Sequence, residues 1–153
     1  MRVLIQRVSS ASITINNTPW SAIWTWYVCY VWISTTFTEL NTDQRTVQIT
    51  KAVERILSLP LFKWSDNKLS ESLSTQQWDL LVVPNFTLRW RCKKWNNVDF
   101  TKSGSFKESK QIFAQFMETL YSRYSEWVVF QWEFWAYMQI EQCVDGPVNF
   151  IYE

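Results

Sequence analysis

Residues 1–19 read MRVLIQRVSSASITINNTP, and the parsing of this segment decides the fold. Over residues 2–8, Val, Leu and Ile recur with the alternation of a strand. Ser9-Ser10 predicts a bend, with a second strand from Ala11 to Ile15. Asn16-Asn17-Thr18-Pro19 carries the signal of a turn. Beyond it, Ile23 to Ile33 is a long run of Val, Ile, Tyr and Trp, again β-rich.

From Asn41 the period changes. Val47, Ile49, Ala52, Val53, Ile56 and Leu57 follow helical spacing, with Asn41, Thr42 or Asp43 as N-cap and Pro60 as the stop. Leu61-Phe62 starts a short strand that turns between Trp64 and Asn67. Asp79 to Leu88 reads as a strand interrupted by Pro84, which marks an edge, an end or a bulge near Asn85. Arg89 to Gly104 is a polar, basic loop. A second helix follows, with Phe113, Phe116, Met117, Leu120, Tyr121 and Tyr124 on its core face. Trp127 to Phe130, Phe134 to Val144 and Val148 to Tyr152 read as closing strands, the last two separated by Asp145-Gly146-Pro147. The expected fold class is mixed α/β, with two packed, mainly antiparallel β-sheets and two helices on one face. No linker or repeat divides residues 1–153, so one domain is expected.

Composition narrows the chemistry. A chain of 153 residues that is 47% hydrophobic and 19% charged builds a core and is not disordered. No apolar run reaches the roughly 18–20 residues of a membrane helix. The N-terminus lacks the apolar stretch of a signal peptide, which points to the cytoplasm. The three cysteines, Cys29, Cys92 and Cys143, are widely spaced, which suggests reduced thiols, with Cys29 and Cys143 expected in the core. There is no histidine, which excludes Ser-His-Asp and Cys-His catalysis and zinc sites built on imidazole. Net charge is only +1, yet Arg89, Arg91, Lys93 and Lys94 fall within six residues, with Lys102, Lys107 and Lys110 downstream. Such a run is either a solvated loop or a surface that meets phosphates.

Eleven tryptophans stand beside two glycines, where a domain of this size usually carries about 7% glycine. Trp64 and Trp95 precede turn-forming polar residues, positions that favour glycine because it reaches positive φ without a Cβ clash.

Three stretches together resemble the D-aminoacyl-tRNA deacylases. Met1 to Ser12 looks like the opening of that family. Val82-Val83-Pro84-Asn85-Phe86-Thr87-Leu88 resembles its Ser-Gln-Phe-Thr-Leu motif, and Asp145-Gly146-Pro147-Val148 its Asn-x-Gly-Pro-x-Thr motif. The resemblance extends over the full length, with Phe134 to Met138 in register. Within it the tryptophans fall where the family has glycine, as at Trp24, Trp26, Trp32, Trp95 and Trp135. A lineage that decodes UGA as glycine, translated with UGA as tryptophan, would produce this pattern; UGG at those codons in the gene would refute it.

The resemblance implies hydrolysis of the ester between a D-amino acid, or glycine, and tRNA. It implies no cofactor, no metal and no side-chain general base. It implies a homodimer in which a cis Gly146-Pro147 peptide reaches into the partner's pocket and selects chirality. Thr87 would lie beside the scissile ester, with Gly146 and Pro147 as the other catalytic positions. Asn85, Phe86, Ala136 and Met138 would contact substrate, and Arg7 would hold the Gly-Pro loop. Arg89, Arg91, Lys93 and Lys94 would contact phosphates at the acceptor end of aminoacyl-tRNA. Membrane partners are not implied.

Four motif positions depart from the family, namely Pro84, Asn85, Val144 and Asn149. Pro84 resembles the sister branch that clears L-alanine from a mischarged threonine tRNA, whereas Phe86 resembles the D-specific branch. A non-catalytic tRNA-binding homologue is a further alternative. A last one takes the tryptophans as an aromatic platform for single-stranded nucleic acid.

Overall fold

The structure is a computed structural model that describes residues 1–65, 68–76, 78–125, 128–129, 134 and 136–153. Its first two strands, β1 (Arg2–Ile15) and β2 (Thr18–Trp32), form an antiparallel hairpin. The turn between them places Asn16 and Asn17 at φ 49° and 63°, the left-handed region that asparagine tolerates and a tight hairpin demands. The expected bend at Ser9-Ser10 is absent, because β1 runs through it as one strand. The irregularity surfaces instead as register shifts against the last strand, between Gln6 and Val8 and between Val8 and Ser10.

Among the described residues, five strands make the main sheet. Besides β1 and β2 they are β5 (Leu80–Pro84), β8 (Val128–Val129) and β9 (Met138–Tyr152), in the order β8-β5-β2-β1-β9. β9 pairs antiparallel with β1, whereas β2–β5 and β5–β8 are parallel. Parallel neighbours need crossovers, and these carry the helices. The first crossover holds α1 (Thr35–Thr38), α2 (Thr42–Ser58), the ribbon β3 (Phe62–Ser65) with β4 (Lys68–Glu71), and α3 (Leu73–Gln76). The second holds the ribbon β6 (Arg91–Cys92) with β7 (Val98–Asp99), and α4 (Phe106–Tyr121).

Among the three N-cap candidates, Asn41 caps α2. Its Oδ1 accepts from Gln44 N–H at 2.9 Å while Gln44 Oε1 accepts from Asn41 N–H at 3.2 Å, a reciprocal capping box. The helix stops at Ser58, just before Pro60. Ile49, Ala52, Val53, Ile56 and Leu57 are buried as the periodicity predicts, but Val47 is 52% exposed. It lies on the solvent face of α2 with Asp43, Gln44, Gln48 and Lys51, where a single apolar side chain can face water at little cost. On α4, Ile112, Phe113, Phe116, Met117 and Leu120 are buried.

These helix faces pack on Val3, Ile5, Tyr27, Cys29, Val31, Leu80 and Val82. A second core, on the opposite face, gathers Val8, Ala11, Ile13, Ile15, Ile23, Val28, Leu81 and Val83. Neighbours such as Val28 and Cys29, or Leu81 and Val82, divide between the two cores because strand side chains alternate. Among the described residues, the two expected layers are the two faces of one curled sheet, with two small ribbons beside it.

Several finer expectations change. The strand expected over Asp79 to Leu88 ends at Pro84, where the ring removes the ladder donor. The loop from Arg89 to Gly104 contains a ribbon and a turn of 3-10 helix. The short helices α1 and α3 carry too little periodicity to be read locally. Cys29 is buried, and burial pushes its thiol upward; Cys143, expected in the core, is exposed on edge strand β9. The tryptophans do not all sit at turns. Trp32 ends β2, is 2% exposed and donates its indole N–H to Ser103 Oγ at 2.9 Å. Trp95 is 93% exposed at φ 65°, a conformation costly for a residue with a Cβ. Trp127, Trp132 and Trp135 lie outside the described residues, as do Asp66 and Asn67 of the expected turn.

Candidate active site

The segment after β5 is stitched down by its own side chains. Pro84 has no N–H, so the next bond to β2 comes from Asn85 N–H to Val31 O at 2.9 Å. Asn85 Oδ1 then accepts twice from Thr87, at 2.9 Å from its N–H and 2.7 Å from its hydroxyl. This is the local turn that short polar side chains favour. Both Thr87 donors are thereby spent on Asn85, and the exposed hydroxyl oxygen is left to accept. Phe86 O accepts from Ser103 Oγ at 2.8 Å, which extends the chain that begins at Trp32. The exposed Phe86 ring meets Phe100 edge-on at 5.6 Å. Thr87, Trp90, Val98 and Phe100 line a mostly apolar cavity of about 340 Å³.

A second patch lies on β9. Gln6 pairs with Asn149 and Val8 with Val144, so Arg7 alone faces the four residues from Asp145 to Val148. The Gly146–Pro147 peptide is cis and Gly146 has φ 112°. Arg7 anchors this loop. Its Nε lies 2.9 Å from Asp145 Oδ2, off the hydrogen-bond line, so the contact is an ion pair. Its Nη1 donates to Leu61 O at 2.7 Å, and the guanidinium lies over Phe62, 5.9 Å from the ring centroid. The Arg7 side chain is only 16% exposed. Beside it, Gln6 Nε2 donates to Asn149 Oδ1 at 3.0 Å.

The predicted basic run divides. Arg91 Nη2 and Lys93 Nζ turn inward onto Asp99, at 2.9 and 3.2 Å. Thr101 adds its N–H at 3.0 Å and its hydroxyl at 3.1 Å. These donors, the Thr101 N–H foremost, hold the Asp99 carboxyl well below the ordinary carboxylate range, although its side chain is only 3% exposed. Lys94 stays exposed near the loop tip. Arg89 turns the other way, 5.7 Å over the Trp32 ring. Nothing in the local sequence marks Ser103, and Asp99 is marked only as an acid at the end of a basic run.

Ala136 and Met138 lie half-buried against the second core. They belong to neither of the first two patches. Measured along the sheet, β5 and β9 stand three strand spacings apart, roughly 14 Å. The ladder sets Arg7 level with Tyr27 and Leu80, four residues before Pro84, roughly a further 13 Å. Within one chain, Thr87 and the Gly146–Pro147 loop are thus separate patches.

A family model described as D-Tyr-tRNA(Tyr) deacylase matches residues 4–153. The chain belongs to the D-Tyr-tRNA(Tyr) deacylase family. The D-aminoacyl-tRNA deacylase of Petrotoga mobilis is 32% identical over 151 residues, covering 99% of this chain and 95% of that protein. That of Trichodesmium erythraeum is 35% identical over 156 residues, covering 100% and 96%. A solved structure described as c-Myc DNA Unwinding Element Binding Protein superposes with TM-score 0.83 at 30% identity, covering 100% and 98%. A probable eukaryotic D-amino acid tRNA deacylase shares the fold at TM-score 0.79 and 16% identity, covering 99% and 97%. In this deacylase-family chain, three of the motif departures have structural partners. Asn85 builds the Thr87 turn, Asn149 bonds Gln6, and Val144 pairs with Val8.

Proposed function

We propose that this chain hydrolyses the ester joining a D-amino acid, or glycine, to the terminal adenosine of tRNA, releasing the free amino acid and tRNA. Membership of the family supports the reaction class. The observation that carries it to these residues is the Gly146–Pro147 loop, bulged from β9 and anchored by Arg7 through Asp145.

The ester is an activated acyl group, so placing a water and polarising the carbonyl supply much of the rate. Thr87 contributes a hydroxyl oxygen fixed as an acceptor by Asn85, suited to orient a water or the 2′-hydroxyl beside the ester. Phe86 supplies an apolar wall next to it, and Ala136 and Met138 a wall of the adenosine pocket. Gly146 and Pro147 present backbone carbonyls that leave no room for an L side chain.

Because Thr87 and this loop lie in separate patches, the reading requires a homodimer. A two-fold axis brings one copy's loop to the other's Thr87. Arg89 and Lys94 are the cations left to meet acceptor-end phosphates, with Arg91 and Lys93 supporting the loop through Asp99. No helix among the described residues is long and apolar enough to cross a membrane, and a tRNA substrate fits a cytoplasmic setting.

The test incubates the protein with D-Tyr-tRNA, Gly-tRNA, L-Tyr-tRNA and L-Ala-tRNA(Thr) and follows ester loss. Loss of the first two, with L-Tyr-tRNA spared, is expected. Hydrolysis of none would overturn the enzymatic reading, and preference for L-Ala-tRNA(Thr) would move the chain to the sister branch.

A further inference from the structure

The end of β2, α1 and the chain terminus enclose a cavity of about 440 Å³ lined in part by Arg2, Trp32, Ser34, Thr36, Arg89 and Lys102. Glu153, also on its wall, is paired with Arg2. Among the described residues, neither Arg89 nor Lys102 has a carboxylate within ion-pair distance. Arg2, Arg89 and Lys102 thus face one cavity with Glu153 as the one acidic side chain on its wall, its charge felt by Arg89 as well as by Arg2, so the cations stay in excess.

Its floor is fixed. Trp32 Nε1 bonds Ser103 Oγ, Ser103 bonds Phe86 O, Thr35 N–H donates to Lys102 O at 2.9 Å, and Arg89 lies over Trp32. Ser34 Oγ accepts from Phe37 N–H at 3.0 Å and lies 2.9 Å from Thr36 Oγ1. With that lone pair occupied, the Ser34 proton can go to Thr36, which frees the Thr36 hydroxyl to donate outward. Two cations and a hydroxyl donor suit a tetrahedral, charged oxyanion.

We infer that this cavity holds a backbone phosphate of the tRNA acceptor strand, the terminal phosphodiester next to the aminoacylated adenosine. The inference rests on the proposed substrate. Arg89 is two residues from Thr87, at most about 7 Å of backbone, and the terminal linkage is the first charged group of the RNA beyond the ester. The phosphate site thus lies beside β2, away from the loop tip, where Asp99 already occupies Arg91 and Lys93.

The experiment titrates the full-length protein with deacylated tRNA ending in CCA, and with the same RNA carrying a neutral methylphosphonate at the last linkage. Lys102→Gln removes one cation from an exposed side chain and keeps the fold. It is expected to weaken binding several-fold and to lower the salt slope by about 0.7 to 1. Methylphosphonate should weaken the parent protein by a similar factor and add little to Lys102→Gln, because both remove the same contact. Lys51→Gln, a cation on α2 away from the cavity, should leave binding unchanged. Additive losses from Lys102→Gln and methylphosphonate, or no loss from Lys102→Gln, would overturn the site. No ester is present in these titrations, so a failure of hydrolysis and a failure of this site are separately readable.

Discussion

At Gly146 the backbone alone dictates the residue. Its φ of 112° lies where L side chains are rarely found, and a Cβ would approach Val148 Cγ2 to 2.9 Å and Val148 N to 3.0 Å. The methyl can rotate away, but the backbone nitrogen can only move with the loop. Gly146→Ala is expected to cost about 1–3 kcal/mol locally. It should lower kcat/KM on D-Tyr-tRNA by about tenfold or more, because the loop's carbonyls shift. Steady-state kinetics beside denaturant unfolding checks this, and a variant with the parent rate would remove the loop from the mechanism. Asn85 works at the same scale. Its side-chain oxygen closes its own turn by accepting from both Thr87 donors, so it orders Thr87.

The element that shows what a local charge does is the β6–β7 ribbon. Asp99 gathers Arg91, Lys93 and Thr101 on one nearly buried carboxylate. Its folded-state pKa is depressed, so its stabilising contribution is complete above the ordinary carboxylate range. That contribution is lost as pH falls below this range toward the lower folded-state value. The parent protein should therefore lose stability on acidification in that window. Asp99→Asn should be less stable at neutral pH and flatter across it. Denaturant midpoints at about pH 7 and about pH 3 measure the difference, and parallel profiles would show that Asp99 is not the group concerned. The capping box of α2 and the buried stripe of α4 lie at this scale too. The stripe was legible in the sequence because it depends on residues three or four apart, whereas the cap was narrowed only to Asn41, Thr42 or Asp43 until the Gln44 bonds chose Asn41. The inward turn of Arg91 and Lys93 was not legible, because a run of cations reads the same whether it faces solvent or a carboxylate.

The whole molecule places Thr87, in the turn after β5, and the Gly146–Pro147 loop of β9 at separate places along one sheet, which makes the proposed dimer testable without a structure of it. Thr87→Val and Gly146→Ala proteins, each impaired alone, should regain activity when unfolded together and reassembled. A mixed dimer holds one site with neither substitution, and random pairing gives roughly a quarter of the parent rate. No recovery above the two separate proteins would place both residues in one chain's own site. The two cores belong to this scale as well. Cys143 reads as interior from its apolar strand-like stretch and Val47 from its place in the helical spacing, but edge position and helix phase leave them outside.

By itself, the sequence determined the two long helices and most of their buried faces, the long β-rich runs, the Asn16–Asn17 turn and three candidates for the cap of α2. It also carried the motifs of the deacylase family and, by lacking histidine, ruled out imidazole chemistry. Only the tertiary structure decided that Arg7 meets Asp145, that Ser103 links Trp32 to Phe86, and that Arg89 and Lys102 share a cavity. The physical reason is range. Caps, turns and amphipathic faces follow from neighbours along the chain. Those later contacts join residues far apart in sequence, and strand order, register and sheet curl bring them together.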